Sequence, residues 1–176
     1  MTGGEARNGG GGGLAEDRLF RLGEAPYGPE DGQVGLLNLM AFSGIAVGEG
    51  VILARECHRR FMEASGLAAE LHERAGAGED LRRQAATLRR RFGRRPSDEE
   101  TRRVVRDAVI ALGARTVAVI SDRFERAGVR SIPEAQEAVA HAWLTPEVLA
   151  RQLEAAARGE ELPVWPVLIR REQRAL

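Results

Sequence analysis

Lysine is absent from this chain: all 26 basic residues are arginine, balanced by 26 acidic ones. A coding bias toward G and C suffices to explain the absence, which still has chemical consequences. Schiff-base chemistry, a lysine general base and a P-loop lysine are all excluded. Cysteine is nearly absent as well. The single Cys57 cannot form an internal disulfide, and an odd thiol suits a reducing compartment, so the expected location is cytoplasmic. With Cys57, the three histidines His58, His72 and His141 supply only one adjacent pair of candidate ligands, too few for a structural zinc site. No metal and no cofactor is expected. Aromatic residues make up 5% of the chain, which argues against a base-stacking platform for single strands. The opening MTGGEARNGGGGG lacks the basic start and apolar centre of a signal peptide, so no cleaved export signal is expected.

At 176 residues the chain is long enough for one hydrophobic core. Residues 1–13 are glycine-rich low-complexity sequence and predict a disordered tail. Residues 14–32 predict an arm broken by Pro26, Gly28 and Pro29. Residues 33–159 predict the helical domain, and 160–176, interrupted by Pro163 and Pro166, an extended C-terminal arm.

Val34 to Ala54, VGLLNLMAFSGIAVGEGVILA, carries one charge, Glu49. Exposing such a run to water would cost roughly 25 cal/mol per Å2 of apolar area, so it must be covered by helices, a second copy or lipid. The pattern from Gln33 to Ser65 suits one long helix closed by Gly66. Within it Gly44 and Gly48 form a G-x-x-x-G notch, read as a close helix crossing. The run approaches bilayer-spanning length, but Asn38, Glu49 and the glycines weigh against a span, and a membrane is not the expected partner.

Further along, Asp80, Ser97, Ser131 and Thr145 read as N-caps. Apolar residues at intervals of three and four from Val105 to Ala127 predict one long helix over 98–127. The rival is a strand at Thr116–Ser121 following a stop at Gly113. The fold expected is thus an all-α single bundle with a long apolar N-terminal helix, and the alternative is α/β with a small sheet.

Leu81 to Arg106 holds ten arginines against Asp98, Glu99 and Glu100, a net charge of +7. Arg82, Arg83, Arg89, Arg90, Arg91, Arg94 and Arg95 form the candidate binding patch, because arginine forks suit phosphates and carboxylates alike. Its complement in the chain itself would be the glutamates at 49, 56, 63 and 70. Glu49, Cys57, His58 and His141 are the residues to inspect for catalysis, and no catalytic signature joins them. FGRRPSDEE is a common kind of helix break and carries no function.

These features point to a non-catalytic interaction or assembly module that forms a homo-oligomer or meets a protein partner. A nucleic-acid-associated regulator using 81–106 is the first alternative. A helical enzyme binding a ligand or metal is the second.

Overall fold

The computed structural model describes residues 18–78 and 80–173. The expected tail, 1–13, lies outside them. The chain is α/β, not all-α: seven α-helices accompany a five-stranded antiparallel sheet of order β1-β2-β5-β3-β4 among the described residues. The alternative with a small sheet is the one that fits.

The strands explain why an all-α reading fails. β2 (Gly50–Leu53), β3 (Val117–Ser121) and β5 (Val167–Arg171) form the sheet centre, with side chains alternating between two buried faces. Val51, Leu53, Val117, Val119, Val167 and Ile169 enter the larger core, whereas Ile52, Ala118, Ile120 and Leu168 enter a smaller one on the reverse face. Pairing register aligns the two layers. Ile169 lies between Val51 and Val119, and Leu168 between Ile52 and Ile120. β1 (Leu19–Arg21) and β4 (Phe124–Val129) are the edges.

The expected 33–65 helix is two elements separated by a strand. A 3-10 turn over Pro29–Asp31 leads into α1 (Gly32–Phe42), β2 follows, and only then does α2 (Arg55–Ser65) begin. Gly44, at φ +82°, stops α1: its N–H donates to Ala41 O and that of Ile45 to Met40 O, the paired bonds of a left-handed helix cap. Likewise α5 (Glu99–Leu112) stops at left-handed Gly113, and residues 117–129 form the β3–β4 hairpin in place of a continued helix.

Helices α2, α3 (Leu67–Ala75), α4 (Leu81–Gly93), α5, α6 (Ile132–Trp143) and α7 (Pro146–Ala157) contribute to the larger core. Side-chain caps start four of them, with Asp80, Asp98, Ser131 and Thr145 accepting from the backbone N–H of Arg82, Thr101, Glu134 and Val148. The cap of α5 is Asp98, one residue beyond the expected Ser97. The smaller core is roofed by α1 through Val34 and Leu37. At Gly35 the helix backbone rests on the preceding loop so closely that a Cβ would lie 1.7 Å from Gly28 O. Buried Asn38 secures the same loop, accepting from Gly23 N–H and Ala25 N–H and donating to Ala25 O and Tyr27 O. No helix among the described residues is long and apolar enough to cross a membrane.

Candidate functional site

Neighbouring positions on α2 point roughly 100° apart, so Cys57 and His58 enter different surroundings. The Cys57 thiol is buried, donates to Arg18 O at 3.5 Å and is pushed up to about 11, chiefly by burial, with nearby Arg18 opposing. It is therefore a protonated thiol and a poor nucleophile.

His58 is fully buried. Its ring stacks on Trp143, its Nδ1 accepts from Trp165 N–H at 3.0 Å, and burial, then Arg59, drives its pKa down to about 3. An acceptor Nδ1 places the proton of the neutral ring on Nε2. Around it, Gln152 Nε2 donates to Pro163 O and Trp143 Nε1 to Trp165 O. These bonds hold the extended segment 163–165 that delivers the chain into β5, which is a structural use for the histidine.

Glu49 and His141 lie elsewhere. Glu49 is exposed in the loop before β2 and pairs with Arg171 at 3.2 Å. His141 borders a groove of about 420 Å3 between the α4–α5 turn and α6, lined also by Arg94, Arg95, Arg102, Gln136 and Glu137. The four residues inspected for catalysis do not converge. Among the described residues, no three His, Cys, Asp or Glu side chains are grouped so that they could hold a metal ion.

Gly44 and Gly48 are not at a helix crossing. Both occupy the 43–49 loop at positive φ, with nothing within 4 Å of a built Cβ. The seven patch arginines are exposed, and α4 buries Gln84, Ala85, Leu88 and Phe92 on its opposite side. Arg91 is drawn to Glu70, which Arg74 also holds. No ion pair joins Arg82, Arg83, Arg89, Arg90, Arg94 or Arg95 to a carboxylate among the described residues. The glutamates expected to complement the patch do not form one row. Glu49 is in a loop, Glu56 and Glu63 on α2, and Glu70 on α3; Glu56 is engaged by Arg59 and Arg60.

The open outer side of α1 is not visible in the sequence. α1 has no charged residue, and no charge occurs between Asp31 and Glu49. Its inner side covers the sheet, yet Leu36, Leu39 and Met40 point outward at 48%, 43% and 38% exposure, followed by Phe42 at 77% and Ile45 at 52%. Beside them lies an open groove of about 700 Å3 lined by Leu37, Met40, Ala46 and Val47 on one side and by Arg170, Arg171, Glu172 and Gln173 of the C-terminal segment. Hydrophobicity marked this segment as covered but could not say by what.

No family model matches the chain, and no curated protein matches it.

Proposed function

We propose that the protein is a non-catalytic α/β interaction module that self-associates by apposing the outer face of α1 with the same face of a second copy. The observation that carries this reading is the charge-free helix left half open to water. Surface helices normally alternate an apolar stripe with a polar one, and an apolar patch this size on a monomer marks an interaction site.

A second copy is the occupant for two reasons. The helix itself bears no charge with which to select an acidic or basic partner, and the groove beside it carries both signs, Arg170 and Arg171 with Glu172, so a second copy of the same face matches it in both respects. It also carries both halves of a self-complementary contact: Phe42 projects, and the groove beside Met40 and Val47 recedes. Two such faces would bury on the order of 1,000 Å2, the threshold for a specific interface. The buried, protonated Cys57 and the neutral, enclosed His58 support a structural rather than catalytic use of the chain's reactive side chains. The unpaired thiol favours the cytoplasm. Native mass across protein concentration, for the wild type and for a Leu36→Ser/Leu39→Ser/Met40→Ser variant, tests the reading.

A further inference from the structure

We infer that the outer face of α4 and the α4–α5 turn form a sequence-independent surface for the phosphate backbone of a nucleic-acid duplex. The helix buries Ala85, Leu88 and Phe92 in the larger core and packs against α7, which fixes the direction of everything else it carries. Arg82 and Arg89 then share one outward stripe, and Arg83 and Arg90 the next, each pair two turns and about 10.5 Å apart. Arg94 and Arg95 continue the ridge into the 420 Å3 groove. Arg95 is steadied there over the Phe92 ring at 5.0 Å.

Most other arginines on the helical side are paired, with Arg103 of α5 the exception on that helix among the described residues. Arg59, Arg60, Arg74, Arg91 and Arg102 each pair with a glutamate. In the groove, Glu137 is met by Arg126 at 3.4 Å and His141 at 4.0 Å, while Asp98 caps α5. The six ridge arginines have no such carboxylate among the described residues. Planar guanidinium forks bind phosphate oxygens two at a time, which suits a regular row of phosphates.

The neighbours of the arginines select the polyanion. The positions between the stripes are Ala86 and Thr87, and Phe92 is buried, so no large apolar wedge for lipid and no exposed ring for an unstacked base accompanies them. Of the glutamates at 49, 56, 63 and 70, three are already held by arginine and only Glu63 is exposed without an ion pair among the described residues, one carboxylate against six guanidinium groups, so a second copy offers a poor complement. α4 belongs to the core on the opposite side of the sheet from α1, so self-association leaves the ridge open.

Fluorescence anisotropy of a labelled random-sequence DNA duplex, titrated with the full chain at several salt concentrations, tests this. The expected result is an affinity that falls with salt at a log–log slope of about −3 or steeper, at about −0.9 per phosphate contact. An Arg82→Gln/Arg83→Gln/Arg90→Gln/Arg94→Gln variant should lose about tenfold or more in affinity and show a shallower slope with unchanged circular dichroism. If that variant does not fold, Arg90→Gln/Arg94→Gln should show the same change in part. An Arg21→Gln/Arg123→Gln variant, altered on the strands and hairpin, should leave the slope unchanged. Absence of duplex binding at low salt, equal loss in the control variant, tighter binding of a single strand, or binding to phosphatidylserine vesicles in place of the duplex would overturn the inference. The Leu36→Ser/Leu39→Ser/Met40→Ser variant should retain the wild-type slope, so failure of self-association and failure of duplex binding are separately visible.

Discussion

The rings of His58 and Trp143 are stacked, with centroids 5.0 Å apart and planes within 3° of parallel. Because His58 Nδ1 also accepts from Trp165 N–H and Trp143 Nε1 donates to Trp165 O, this pair joins α2 and α6 to the segment that precedes the central strand β5.

Acid should weaken the fold through this pair. The histidine pKa is about 3 when folded and about 6.5 when unfolded, so the unfolded chain takes up the proton first as pH falls. The stability involved is fully present above about pH 6.5 and is lost on descending toward pH 3, by up to about 1.4 kcal/mol per pH unit. Urea unfolding at pH 7 and pH 5 should show the decline. His58→Phe should flatten it over that range, at a cost of about 1–3 kcal/mol for the unpaired Trp165 N–H.

The Cys57 thiol should resist alkylation in the native state at pH 8. Burial holds its pKa near 11, and only the unfolded chain offers appreciable thiolate there. Iodoacetamide labelling followed by mass should therefore track global unfolding in urea. Rapid labelling without denaturant would contradict the buried placement.

Glycine substitutions should separate α1 from the loop after it. Gly35→Ala must displace Gly28 O from 1.7 Å and should cost at least 1–3 kcal/mol. At Gly48, where φ is +86° and the surrounding space is open, Gly48→Leu should cost only about 1 kcal/mol of backbone strain. Denaturation midpoints check the order, and a larger loss at Gly48 would place it back in a packed helix crossing.

The surface helices were legible in the sequence because polar caps and amphipathic spacing mark them: Asp80, Ser131 and Thr145 all cap as their positions suggest. The central strands were not. When both faces of a sheet are buried, period-two alternation disappears, so Gly50–Leu53 reads as more of the preceding helix and Val117–Ser121 supplies an apolar residue at whatever interval is sought. The position of β5 was equally hidden, since the pairing of Ile169 with Val51 and Val119 joins segments far apart in the chain. Of the candidate surfaces, the arginine ridge could be read directly from residues 82–95. The open side of α1 could not, because Leu36 and Val34 are alike in hydrophobicity and only the fold says which faces the sheet.

Sedimentation equilibrium of the wild type beside the Leu36→Ser/Leu39→Ser/Met40→Ser variant tests self-association through α1 most directly. The wild type should move from the 19.1 kDa monomer toward twice that mass as concentration rises, while the variant stays monomeric with its circular dichroism intact. A wild type that remains monomeric throughout, or a folded variant that dimerises as readily as the wild type, would contradict it.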